Sequence, residues 1–560
     1  KPSSSCPSKD TSTKKASTPT PPPPTWVSLN NRYNTVYQYN KLPKYLLNCK
    51  FLGIFIPKSP HHMKRYSTQK QLSIAEFAMP FEANLDENNR WVVLSSVIPW
   101  DKFAELYYKN FPYRRGAPTK DARMVLGVVI IKHMLKLDDI GVIEIIQENP
   151  YMQYFLGLKG FTQKRVFDPS LLVHIRKRID LNVFESLTDE LIRKGLNIKQ
   201  VSEKETKDDD NDEHTPAGGT KNKGKLQLDA TVTDAQIKFP TDLDLLSDSR
   251  VKAEDLIDHL CKEMNITDKP RTYRKIARKE YLNVSKMKRK PDKVLRRGLR
   301  LQINYLKRDI RIINGLLDRR KDGRIPFNKH QNKDFFVIQH VLAQQEAMFK
   351  EKSNSCEDRI VNIHQPHVRP IVRGKAKAKV EFGAKINVSL QEGYARIDRF
   401  EWDAYNEGCD LPMQVERYKV LNGHYPELVQ VDKIYLNRSN RAWLKERNIR
   451  HTGDPLGRKP VKTVKSYYMK RKERREAAER NQIEGKFGQG KNGYNLNQIR
   501  AKLSSTSMSW IAAILFVMNV IRYIRDFSAS ILKWLFANVM KMREEIIIPF
   551  MPAQRNLGWI

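Results

Sequence analysis

The chain is predicted to be a mixed α+β protein: a helical amino-terminal module, then a core built on a mixed sheet and interrupted by a helical insertion. Three observations predict this. Apolar residues recur at three- and four-residue steps through residues 100–198; strand-like alternation appears at Lys225–Val232 and again after residue 359; and between those two regions the pattern returns to helix from Asp242 to Lys352. At 560 residues the chain is too long for one hydrophobic core, so about two to four domains are expected.

The first residues, Lys1–Pro24, are Ser, Thr, Lys and a run of Pro, a composition that buries too little apolar surface to fold. Residues 1–78 are therefore expected to be disordered or a non-native extension, with Met63 or Met79 as the native start. In the helical module, residues 79–200, Ala122, Val125, Leu126, Val129, Ile130 and Met134 mark one helix, Asp138 and Asp139 cap a second from Ile140 to Ile146, and Pro150 opens a third. Short helices joined by tight turns suit a helix-turn-helix-like domain and equally a plain structural bundle. Residues 201–224, with Asp208, Asp209, Asp210, Gly218 and Gly219, read as a solvated linker, and its acids as surface charge.

The core is expected at residues 225–241 and 353–527. Leu226, Leu228 and Ala230 alternate with Gln227, Asp229 and Thr231, which places Asp229 in mid-strand. The insertion, residues 242–352, carries an apolar stripe through Leu295, Leu299, Ile303, Leu306, Ile310, Ile313 and Leu317, behind the basic run Lys286, Lys288, Arg289 and Lys290. Strands are then predicted at Arg359–His364, Ala378–Leu390 and Tyr394–Trp402, with Gln391-Glu392-Gly393 as a hairpin turn. A further strand at Leu428–Tyr435 holds Asp432 near its end, and a short helix follows at Ser439–Glu446. Val464–Glu484 favours helix, then come a glycine-rich turn, an apolar helix at Ser507–Arg525 and a tail from residue 528.

Lys and Arg number 101 against 63 Asp and Glu, a net charge of +38 that attracts a polyanion at long range and releases its counterions on contact. Nucleic acid leads; an anionic membrane would satisfy the same count. The five cysteines form no Cys-x-x-Cys pair, which argues against a zinc site or disulfide framework and suits a reducing, intracellular compartment. The apolar run Trp510–Val520 is shorter than the roughly 18 residues that span a bilayer, so a buried helix and no membrane partner are expected.

Three acids stand out by position: Asp229 inside a strand, Asp432 near the end of another, and Glu484 on a helix crowded with Arg and Lys. A carboxylate in a strand interior needs solvent, a cation or a metal to compensate it, and convergent carboxylates hold Mg²⁺ or Mn²⁺. Each also has an ordinary reading: a strand end for Asp229, with Asp234 nearby, a surface pair with Lys433 for Asp432, an i,i+4 bridge with Arg480 for Glu484. His364 and His367, between prolines, read as structural; Arg369, Arg373 and Lys375 are candidates for phosphate contact.

The segment from Arg480 through Glu484 to Lys491 resembles the third-acid region of insertion-sequence DDE transposases, whose signature is Tyr-x2-Arg-x3-Glu-x6-Lys; Ala477 stands where the Tyr belongs. Lys225–Val232 and Val429–Tyr435 are similar to the first- and second-Asp strands of that family, and Ile363–Pro370 and Val380–Lys385 to segments of one of its branches. Asn88–Trp91, Glu148–Leu156 and Phe167–Ser170 resemble its amino-terminal helical domain, so the likeness runs from Met79 to Arg525. It implies a ribonuclease-H-like α/β/α core in which Asp229, Asp432 and Glu484 are catalytic and bind Mg²⁺ or Mn²⁺, two ions in all. It also implies double-stranded DNA as partner, both transposon inverted repeats and target, a homodimer in the synaptic complex, and a cytoplasmic, nucleoid-associated protein. Arg480, Lys486 and Lys491 are implied phosphate contacts, with one end-DNA contact left open by Ala477. The reaction implied is end cleavage followed by strand transfer; a nuclease without strand transfer and an inactive DNA-binding relative are the alternatives.

Overall fold

Local capping explains where the first helices of the computed structural model begin. The structure describes residues 73–79, 84–109, 119–204, 222–320, 324–372, 380–453, 457 and 466–547. Residues 205–221 of the expected linker and the amino-terminal extension up to residue 72, with Met63, lie outside them, as do Arg373 and Lys375. Helix α1 (Arg90–Val97) starts under the Asn89 side chain, which accepts from Trp91 N, and is followed by α2 (Trp100–Lys109). Asp121 caps α3 (Ala122–Met134), Asp138 caps α4 (Asp139–Glu148), and Pro150 occupies the first turn of α5 (Pro150–Phe155), where its missing N–H costs no bond. Helices α6 (Leu171–Arg178) and α7 (Leu181–Lys204) complete this region.

Strand β1 (Lys225–Asp234) leads into α8 (Asp242–Glu263), α9 (Arg274–Ser285), α10 (Asp292–Asp318) and α11 (Lys329–Glu351). Leu246, Leu256, Leu260, Leu306, Ile313 and Ile338 form a core internal to these helices, so the stripe read from the sequence on α10 is packed against its neighbours within the block. The segment 359–364, expected to be a strand, is irregular. Asn362 Oδ1 accepts from both His364 N and Gln365 N, a local turn that competes with strand pairing, while Ile360 and Ile363 bury against Val337 and Val341 of α11.

The sheet resumes with β2 (Arg369–Val372), β3 (Val380–Gln391) and β4 (Tyr394–Glu401). Glu392 and Gly393, both at positive φ (51° and 88°), make the expected two-residue hairpin. Helix α12 (Leu411–Asn422) then precedes β5 (Leu428–Gln430), α13 (Arg438–Glu446), β6 (Arg450–His451), α14 (Tyr467–Gly493) and α15 (Ser504–Ile547). Among the described residues six strands form one mixed sheet in the order β2-β3-β1-β5-β6, with β4 also on β3; β1 is antiparallel to β3 and parallel to β5.

Two elements differ from expectation near the sheet's end and beyond it. The strand at β5 stops at Gln430 because Asp432 turns its carboxylate onto Lys433 N and caps a 3-10 turn, Lys433–Tyr435. The glycine-rich stretch after Glu484 is helical to Gly493: Gly490 lies so close to Leu496 and Met518 that a Cβ there would meet them at 3.0 and 3.4 Å, so packing against α15 outweighs the poor helix propensity of glycine.

Helix α15 is longer than the sequence pattern suggested. Its stretch Ser504–Lys533 is long and apolar enough to cross a membrane by length and composition, but 78% of its most apolar window is buried inside the protein. Ile511, Ile514, Phe516, Val517 and Val520 share one core with α1–α7, with Ile386, Val388 and Ile397 of the sheet, and with Ile483 and Phe487 of α14. The polar break in this run, Asn519, is fully buried: its Oδ1 accepts from Ala395 N (2.9 Å) and its Nδ2 donates to Ala395 O (2.6 Å), closing the outer edge of β4. An Asn519→Leu variant is expected to lose about 2 kcal/mol or more, since two buried backbone groups would be left unpaired; chemical denaturation of the full chain measures it.

Candidate active site

Alternation along β1 decides what each residue faces. Leu226 and Leu228 point into a core with Leu411 and Val415 of α12, Leu444 of α13, and Val429 and Val431, whereas Gln227 and Asp229 point to the other side, under α14. Gln227 Nε2 donates to Gln430 Oε1 (2.8 Å) and to Glu479 O (2.8 Å), and Gln430 Nε2 donates to Glu476 O (2.9 Å). This pair of buried amides pins the backbone of α14 across β1 and β5. Both faces of β1 are thus covered, and Asp229 is the single position between its end residues that keeps partial exposure.

The second acid follows a strand paired in register with β1. Lys225 pairs with Leu428, Leu226 with Val429 and Gln227 with Gln430, a constant offset of 203 residues. The pairing ends at Gln430, and Asp432 lies two residues beyond it, as Asp229 lies two beyond Gln227. Behind Asp432, Tyr435 is fully buried and its hydroxyl donates to Asn387 Oδ1 (2.8 Å), which also accepts from Gln414 Nε2 (3.2 Å); Asn387 Nδ2 donates to Asp410 (2.9 Å). Burial, with the nearby carboxylates of Glu407 and Asp229, holds the Tyr435 phenol far above its ordinary range. These supporting residues were not singled out in the sequence. Their signal was there: Asn387, Ser389 and Gln391 alternate with Ile386, Val388 and Leu390 at the end of β3, and all three are buried.

Glu484 comes from α14. At 100° per residue, Ala477, Arg480, Glu484 and Lys491 fall on one narrow face of that helix. Arg480 stands between two of the acids, with Nη2 at 3.3 Å from Glu484 Oε1 and Nη1 at 3.9 Å from Asp432 Oδ1. Both carboxylates are more than half exposed, so these pairs position the groups more than they stabilise the fold. Among the described residues no three acids, histidines or cysteines are close enough to share one metal ion. The structure links Asp432 to Glu484 through the Arg480 guanidinium.

The other predicted contacts lie elsewhere. Lys486 is 200° around α14 from Glu484, on the opposite face, and donates to Gly393 O at 3.0 Å. Arg369 is part-buried, bonded to Pro366 O and 3.3 Å from Asp403. His367 sits edge-on to Trp402 with ring centroids 4.4 Å apart, and burial pushes it down to about 4, a neutral, structural imidazole.

Comparison with known proteins adds the family. Residues 429–521, which include Asp432, Arg480, Glu484 and Lys491, match the model described as "Transposase DDE domain", and residues 79–178 match "Transposase domain (DUF772)". The two matches support an insertion-sequence DDE transposase. This transposase is also 28% identical over 161 residues, 29% of its length and 69% of the other's, to "Uncharacterized protein ORF8 in nfe locus" from Rhizobium meliloti. No solved structure matches it. The two matched segments are those that α15 and its neighbours pack into a common core. Loss of the amide pin tests how the transposase holds Glu484: Gln227→Leu is expected to raise amide hydrogen exchange around Glu476–Arg480 by about 10-fold or more, an opening made easier by roughly 1.5 kcal/mol, measured by mass spectrometry.

Proposed function

We propose that this transposase cuts DNA at transposon ends and joins the freed 3′ ends to target DNA, with Asp229, Asp432 and Glu484 as its catalytic carboxylates. The observation that carries this reading is the β1–β5 register, which pairs the two strands that carry or lead to acids 203 residues apart in sequence, under the helix bearing the third. The arrangement supports a ribonuclease-H-like core, residues 225–241 and 353–527, with 242–352 as a helical insertion and 79–200 as the helical domain.

The donor set suits a hard divalent cation: carboxylate oxygens from Asp229, Asp432 and Glu484. Mg²⁺ or Mn²⁺ there, two ions in the full assembly, would supply Lewis-acid activation of the attacking oxygen and stabilise the leaving one. Arg480 neutralises Asp432 and Glu484 in the free protein, and its exchange of these acids for a DNA phosphate would release both carboxylates. Lys491, on the same face, would add a phosphate contact. Double-stranded DNA is the partner, with two copies pairing two ends, in a cytoplasmic protein associated with the nucleoid.

Glu484→Ala is expected to lower Mg²⁺-dependent cleavage of end DNA by more than about 100-fold while leaving end binding within a few-fold of the parent. Gel assays of cleavage and binding measure the two; undiminished cleavage would sink the assignment. Incubation with end DNA and a supercoiled plasmid separates the rival activities, because a hydrolytic nuclease yields cut DNA without joined product.

A further inference from the structure

On the far side of α14 from the acids lies a pocket of about 500 Å³, large enough for a small anionic ligand. The start of β1, the β3–β4 turn, α14 and α15 form its walls. Four cations line it, Lys225, Lys486, Arg522 and Arg525, against two carboxylates, Glu392 and Glu479. Two of the cations are already matched, Lys225 with Glu479 at 2.7 Å and Arg522 with Asp526 at 2.9 Å. Lys486 instead gives its hydrogen bond to a neutral carbonyl, Gly393 O, and among the described residues neither it nor Arg525 has a carboxylate at ion-pair distance. A part-buried ammonium left beside two guanidinium groups is a standing electrostatic cost that an anion would remove.

We propose that this pocket is a phosphate-binding site, with Lys486 and Arg525 as its ligands, separate from the carboxylate centre. The ligand chemistry is a phosphate oxyanion, whether of a free phosphate compound or of the DNA backbone. Burial, then the charges of Arg522 and Arg525, lower the Lys486 ammonium to about 8, against a smaller upward pull from Asp526. Lys225, Glu392 and Glu479 also face the pocket.

The test is calorimetric titration of the full chain with inorganic pyrophosphate, together with its binding to a short DNA duplex. Lys486→Met and Arg525→Ala are each expected to weaken at least one of these ligands by about 10-fold or more. If pyrophosphate competes with the duplex and the variants weaken both, the ligand is a backbone phosphate; if only pyrophosphate responds, it is a free one. Arg525 is exposed, so its variant keeps the fold even where Lys486→Met fails a melting-temperature check. Unchanged affinity of both variants for both ligands would overturn the proposal. Neither measurement involves cleavage, so that result would leave the carboxylate reading standing.

Discussion

The burial of α15 is the constraint on which the rest depends. One helix presents apolar side chains around most of its circumference, and no single neighbour covers them. The amino-terminal helices take one side, β4 another, and α14 a third. A helix this apolar leaves water only by being wrapped, and wrapping it joins parts of the chain that are hundreds of residues apart in sequence. The family matches at residues 79–178 and 429–521 are therefore two pieces of one packed body. Where the wrapping meets the exposed backbone of β4, Asn519 supplies both a donor and an acceptor, so the sheet edge ends inside the core without orphaned groups.

The carboxylate site is assembled by a second device, the exchange of amide hydrogen bonds. Gln227 and Gln430 lie at equivalent positions on adjacent parallel strands, bond each other, and both donate to carbonyls of α14. Those bonds set how far along its axis α14 lies over the sheet, and hence where Glu484 stands relative to Asp229 and Asp432. Asp432 in turn owes its place to the end of β5. Its carboxylate caps the following turn, and the buried Tyr435–Asn387 contact fixes that turn to β3. Arg480 then balances the charge of exposed acids that would otherwise repel one another.

The opposite faces of α14 have different electrostatic character. One carries Arg480, Glu484 and Lys491 toward the acids of the sheet, with Ala477 leaving the helix bare one turn earlier. The other turns Lys486 into a basic pocket against α15. The 200° that separates Glu484 from Lys486 on the helix puts the two on opposite faces.

Much of this was legible along the chain, because it rests on local chemistry. Capping by Asp138, the opening proline at Pro150, the Glu392-Gly393 turn and the stripe on α10 follow from residue type and period alone. Asp229 stands out on the same grounds, since a carboxylate within an apolar strand is conspicuous wherever the strand ends up. Tertiary structure decided what local preference could not. Packing against α15 kept a glycine-rich stretch helical, and a side-chain cap ended β5 three residues after it began. Above all it decided register: the sequence by itself named Asp229, Asp432 and Glu484, but only tertiary structure pairs β1 with β5 and ties α14 across both, because those contacts join residues no local pattern connects.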